Sequence, residues 1–396
     1  MSDARIEPAA PRPLAIIVAL SLLVLLGLAA WSLSGRQGDG RVLSFAILCG
    51  AAFGIILQRS RFCFFCITRD FLERREVRGL LGLVAALAIG TLGYHAVFGS
   101  FLPVPTPGRL PPDAHIGPVS WVLAVGATIF GFGMSLSGSC ISAHLYRLGE
   151  GSLVAPIALI GAAIGFGLGF ISWNTLYLSV MLVAPVIWLP TSLGYAGSLL
   201  VQLALLGAIA LWLLRYWKPG EAVEAVSPVT LILRRRWPTY VGGLLIGFLG
   251  VVAYLRMGAL GVTAELGSLS RTAADSLGLL PARLEGLDSF AGCATVIKKT
   301  LLSKNGVFVA GLIGGSLAVA LIAGDFKPKL PNLRQSVLSL LGGILMGWGA
   351  MVAIGCTIGT LLSGIMAGAL SGWVFAVFCF AGIYLGWRFM RRFHLY

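Results

Sequence analysis

The stretch Gly131–Gly151, GFGMSLSGSCISAHLYRLGEG, decides how the rest of the chain is read. It has an echo near the other end, in Gly347–Leu361, GWGAMVAIGCTIGTL. A shift of 216 positions (131 to 347) lays Gly131, Gly133, Cys140 and Leu145 on Gly347, Gly349, Cys356 and Leu361. Each copy closes a long apolar run with glycines, then a single cysteine, then a short amphipathic piece and a further apolar run. Glycine and serine at this density break a membrane helix rather than extend it. Two such breaks at matching places in two halves of a membrane protein point to a transport site.

The composition supports a membrane setting. Of the 396 residues 58% are hydrophobic and 11% charged, against about 25% charged in a soluble domain. The mean hydropathy is +0.92. At roughly 20 residues per crossing, the chain holds about ten spans joined by short loops. Read in order these are Leu14–Leu33, Val42–Leu57, Gly79–Phe98, Val119–Ser137, Leu153–Leu178, Ser198–Leu214, Tyr240–Leu255, Val307–Ala323, Val337–Ile354 and Trp373–Met390. The first exceeds a signal-peptide core and carries Trp31 where small residues precede cleavage, so it reads as an uncleaved span. The uncharged stretch APVIWLPTSLGYAG (184–197) reads as a loop, residues 59–78 as an arginine-rich loop, and 256–305 as a weakly hydrophobic region folded into the membrane.

The net charge of +14 points to the membrane surface rather than to nucleic acid, because the basic residues cluster by side. With the amino terminus in the cytoplasm, 20 of the 29 lysines and arginines fall on the cytoplasmic side. Both termini are therefore expected inside. Spans two to five then match spans seven to ten in order, and span six is a linker. Five helices separate the copies, so the second enters the membrane from the opposite face. The expected fold is an all-α polytopic membrane protein with two inverted repeats and re-entrant breaks. Its parts are 1–41 (tail and extra span), 42–197 (first repeat), 198–238 (linker helix and basic loop) and 239–396 (second repeat).

Broken helices aim free N–H groups and positive dipole ends into the gap, which favours an anion. Lys298 and Lys299, on the expected external side with Arg271 and Arg283, would raise the local anion concentration. Cys49 and Cys379 lie in plain apolar runs and read as small hydrophobes. Cys140, Cys293 and Cys356 each sit beside glycine or serine at a break, flanked by Gly138 and Ser139, by Gly292, and by Gly355 and Thr357. A thiol there is a weak donor that does not repel an anion, and its soft sulfur suits a sulfur-bearing substrate. Packing of small residues is the alternative for the same spacing. Cys63-Phe-Phe-Cys66 is readable as a redox pair or half a zinc site, but no second CxxC or histidine cluster completes a metal site. His144 is four residues from Cys140, yet Thr360 occupies its place in the second copy, so a solvated or interfacial histidine is expected. No carboxylate falls inside a span, so no acidic proton relay is visible.

Taken together, S-R-F-C-F…R-D-F at 60–71, G-F-G-M…G-S-C ending at Cys140, A-G-C at 291–293 and G-x-G…G-C-T-I-G-T at 347–360 resemble the YeeE/YedE family. Its members are bacterial inner-membrane transporters of thiosulfate and related sulfur compounds. The resemblance covers about residues 42–390 and implies an hourglass-shaped inverted repeat with cysteines at the constriction. It maps Cys140, Cys293 and Cys356 onto the family's three pathway cysteines, proposed to pass the ion through S–H···S contacts; Cys63 is also expected on the substrate pathway. It also implies a small cytosolic TusA-like sulfur carrier as partner, with residues 59–78 as its docking surface. A transporter without cofactor is expected, not an enzyme. The competing readings are a membrane thiol oxidoreductase working through Cys63 and Cys66, and a permease for another small anion.

Overall fold

The computed structural model describes residues 13–218, 235–287, 295–298, 300 and 302–395. Among them no strand forms, and three isolated bridges link loops. The helices are α1 (Pro13–Ser34), α2 (Gly40–Ser60), α3 (Phe64–Arg74), α4 (Arg78–Phe101), α5 (Trp121–Ser137), α6 (Ile141–Gly149), α7 (Val154–Leu176) and α8 (Leu189–Leu214). They continue with α9 (Thr239–Met257), α10 (Val262–Ser276), α11 (Lys304–Ala323), α12 (Leu333–Val352) and α13 (Leu370–Arg392). A π-helical turn extends α7, and a second π-helical segment runs from Thr357 to Ser363. Among the described residues ten segments are long and apolar enough to cross a bilayer, with α2 and α3 counted as one and α5 and α6 as one, which makes the protein a polytopic all-α membrane protein.

Three stretches differ from the sequence reading. The expected loop 184–197 is helical from Leu189 onward, because Pro190 presets the first turn and buried Trp188 anchors it by donating Nε1–H to the Ala367 carbonyl, 2.8 Å away. Gly194 then bends α8 with φ +66°. The arginine-rich stretch contains α3, an amphipathic helix that buries Phe64, Phe65, Ile67 and Phe71. The weakly hydrophobic region contains α10, whose Val262–Glu265 start is buried.

Helix partners are exchanged between the halves. In the first half α2 packs on α11 and α4 on α9; α7 packs on α12, and α5 on α13. Matched in chain order, α9, α11, α12 and α13 pair with α2, α4, α5 and α7, and under that matching each contact has a mirror contact. The central pair α5–α12 shows how close these crossings are. A methyl on Gly133 would lie 2.6 Å from the Gly342 oxygen, and one on Gly342 would lie 2.6 Å from the Gly133 oxygen. Association in lipid relies on such close packing, since burial of apolar surface gains nothing there. Helix α1 stands apart. It touches α2 and α11, and its described residues bury only Ala19 and Ala30.

Loop contacts sort the helix ends onto two sides. On one, Gln58 reaches Glu150 and Asp325, the Trp237 N–H donates to the Arg59 carbonyl, and Trp387 donates to Glu73. On the other, Tyr195 donates to the Leu102 carbonyl, Val119 N–H to that of Pro185, and Tyr254 to that of Pro112. The arginine-rich ends thus share one side of the molecule.

Candidate functional site

The two breaks build two related clusters. At the first, Gly138 ends α5 with φ +78°, a conformation that costs an L residue, and Cys140 then caps α6 in extended conformation. Cys63 caps α3 in the same way. The N-termini of α3 and α6 therefore meet at Cys140. Its Sγ lies 3.2 Å from Ser142 Oγ, faces the backbone N–H groups of Phe64 and Ala143, and contacts the Cys63 thiol. Cys63 in turn contacts Cys66. Arg147, on the last turn of α6, donates Nη2–H to Cys66 Sγ at 3.2 Å and Nη1–H to the Gly138 carbonyl at 3.4 Å. Cys63, Ser139 and Cys140 are fully buried, and Ser139 Oγ has no hydrogen-bond partner. His144 was expected at an interface. It is buried instead, with Nε2 unpartnered, because the amphipathic turn of α6 faces the interior on that side.

At the second break, Ile354 (φ +55°) and Gly355 (φ +150°) turn the chain, and Cys356 caps the π-helical segment. Gly355 is required on two counts. Its backbone strains an L residue, and a methyl there would lie 2.2 Å from Thr360 Oγ1. Cys356 Sγ accepts from Thr263 Oγ1 at 3.5 Å and faces the N–H groups of Ile358 and Gly359. Thr263 stands at the start of α10, as Cys63 and Phe64 stand at the start of α3. Each cysteine is thus held where two helix N-termini converge, and Thr357 is buried beside the second. A crevice next to this break is lined by His115, Gly117, Ile354, Thr360 and Ser371, among others, and the Gly117 N–H donates to Ser371 Oγ at 3.2 Å. Burial pushes His115, on the loop before α5, down to about 4, so it is neutral at pH 7.

Both clusters offer backbone N–H dipoles, thiols and hydroxyls. That chemistry solvates an anion without fixing it by a full countercharge. Full charge enters at Arg147, on the arginine-rich side of Cys66. Just past it, Gln58 Nε2 donates to Glu150 Oε1 at 3.2 Å and to Asp325 Oδ2 at 3.0 Å, while Arg59 pairs with Asp325 at 3.4 Å. Burial pushes the Glu150 carboxyl up.

Lys298 is not a free cation. Its Nζ is buried, paired with Glu265 of α10 and donating to Ser303 Oγ, which donates on to the other Glu265 oxygen at 2.8 Å. Glu265 had no place in the sequence reading because α10 is not one of the apolar spans. Gly292, Cys293 and Lys299 lie outside the described residues. Cys49 and Cys379 are buried within α2 and α13. Two further participants escaped the sequence. Thr263 carries no motif at all. Arg147 was counted only as a surface charge, although its i, i+7 spacing from Cys140 placed it two turns along the same helix.

A polytopic helical protein with paired, N-terminus-lined helix breaks belongs to the transporter class. The chain is a member of the sulphur transport family, whose profile matches residues 59–385. It is 27% identical over 364 residues to the thiosulfate transporter TsuA of Escherichia coli K12, covering 85% of this chain and 92% of that one. It is 29% identical over 364 residues to the thiosulfate transporter TsuA of Spirochaeta thermophila, covering 87% and 98%. A probable transporter of E. coli K12, YedE, is 29% identical over 181 residues, 45% of this chain and 39% of its own.

Proposed function

We propose that this protein carries thiosulfate, or a related small anion with a terminal sulfur, across the bacterial inner membrane. The ion passes through a constriction formed by the Cys356–Thr263 cluster on one side and the Cys140–Cys63 cluster on the other. The observation that carries this reading is the repeated device itself: a lone cysteine capping one broken helix and touched by the start of another, twice. The matches to two named thiosulfate transporters over most of their length support the substrate class.

In this reading residues 42–197 and 239–396 are inverted repeats, the reciprocal packing of the helices being their signature, and 198–238 links them. The arginine-rich side faces the cytoplasm. Thiols and amides hold the anion by charge-assisted hydrogen bonds, each contributing about 1.5–3 kcal/mol. Arg147 supplies the first full positive charge and draws the ion toward the cytoplasm. Cys293 is retained as a third pathway thiol. The exposed Arg61, Arg74 and Arg75 are the part of 59–78 available to a TusA-like cytosolic carrier, since Arg59 is buried.

The test is growth of a bacterium lacking its own sulfate and thiosulfate uptake, with thiosulfate as sole sulfur source. Wild type should restore growth, and Cys140→Ala and Cys356→Ala, expressed at equal membrane levels, should not. Growth restored equally by both variants would discard the thiol pathway. Absence of rescue by wild type would discard thiosulfate as substrate.

A further inference from the structure

Cys66 is a thiol that the pathway does not need. It stands beside the constriction, one helical turn from Cys63 and in contact with it, on the first turn of α3. Three features distinguish the pair from the other cysteines. Cys63 caps the helix and Cys66 follows three residues later, so both sulfurs lie at the positive end of one helix. The Arg147 guanidinium donates to Cys66 Sγ at 3.2 Å. Cys66 is partly exposed, whereas Cys49, Cys63, Cys140, Cys356 and Cys379 are buried. A helix N-terminus and an adjacent arginine stand where a thiolate, the form that attacks disulfides, would develop as the Cys66 proton leaves.

We propose that Cys63 and Cys66 form a reversible disulfide that closes the pathway when the cytoplasmic thiol pool is oxidised. The closing effect rests on the transport reading above; the disulfide itself does not. The co-reactant is a low-molecular-weight disulfide of the glutathione type. The partly exposed Cys66, on losing its proton, attacks one of its sulfurs, forming a mixed disulfide and expelling one small thiolate. Cys63 then attacks the Cys66 sulfur and expels the second. Two protein thiols are oxidised, one small disulfide is reduced to two thiols, and the two protein protons leave on those thiols. The buried partner thus acts second, as its burial requires.

The consequence follows from the contacts of Cys63. In the dithiol form its sulfur touches both Cys66 and Cys140. Once bonded to Cys66 it has no S–H left, and Cys140 loses the thiol next to it in the constriction.

The experiment uses the full-length protein in detergent, equilibrated in glutathione buffers from fully reduced to strongly oxidised. The sample is acid-quenched, alkylated and mapped by mass spectrometry. The same samples in liposomes are assayed for labelled thiosulfate uptake. The expected result is loss of two alkylatable thiols, both in the peptide holding Cys63 and Cys66, with uptake falling at least several-fold and returning on reduction. Cys66→Ser should retain reduced-state uptake and keep it in oxidised buffer. Full alkylation of Cys63 and Cys66 in the oxidised buffer would overturn the proposal, as would a disulfide that leaves uptake unchanged. Reduced wild type that moves no thiosulfate would sink the substrate reading alone, because the thiol map still decides whether the couple exists.

Discussion

Cys140→Ala is the most informative single change. In the folded protein Cys140 Sγ sits 3.2 Å from Ser142 Oγ, against the N–H groups of Phe64 and Ala143 and beside Cys63. Removing the sulfur deletes one donor to a passing anion and leaves a space about the size of one sulfur atom. The lost hydrogen bond to a charged group is worth about 1.5–3 kcal/mol. At 1.4 kcal/mol per factor of ten, uptake should fall roughly 10- to 150-fold. The stability cost is smaller, about 1–2 kcal/mol for a partly collapsed cavity, so the variant should still fold and insert. Cys140→Ser, which keeps a donor, should fall between the two. Cys49→Ala, a buried thiol inside α2, should lose comparable stability and no uptake. The assay is initial-rate uptake of labelled thiosulfate in liposomes, normalised to inserted protein. Uptake by Cys140→Ala within about twofold of wild type, a shift of under ~0.5 kcal/mol, would refute the reasoning that the thiol faces the ion.

Lys298→Met should destabilise the protein by about 3–5 kcal/mol, because it strands the Glu265 carboxylate in a buried site; adding Glu265→Gln should restore most of that loss in a thermal melt. Gly133→Ala should cost about 1–3 kcal/mol, since its methyl would press on the Gly342 carbonyl, while Gly27→Ala on α1, with open space around it, should be neutral or stabilising. His115 is held neutral, its folded value of about 4 lying below the usual 6.5, so the unfolded chain binds the extra proton between those values. Stability should therefore be full above pH 6.5 and decline as pH falls toward 4, by about 3 kcal/mol, and His115→Gln should flatten that decline in detergent melts. Arg147→Gln should reduce uptake more than Arg147→Lys, which keeps the charge.

Much of this protein was legible along the chain. Ten spans follow from hydropathy because a membrane helix must satisfy its own backbone, and that demand is local. The positions of the two breaks follow from Gly138, Gly355 and the cysteines after them, since the backbone conformation at a break is set by the residues in it. Composition also indicated the anion-friendly character of the breaks. It failed where a helix is too short and too polar on one face to read as a span, as in α3 and α10, and the start of α8 hid behind two prolines and a glycine.

What only the tertiary structure decided is which side chains share a site. Nothing in the spacing brings Thr263 to Cys356, 93 positions on, or Cys63 to Cys140, 77 positions on (140 − 63). Those meetings come from the packing of the short helices α3, α6 and α10 against their longer neighbours. The charge of Lys298 was plain in the sequence, but its neutralisation by Glu265 was not, because an ion pair depends on distance in space and not on order in the chain. Local chemistry fixes where a helix breaks; only the fold determines what the broken ends face.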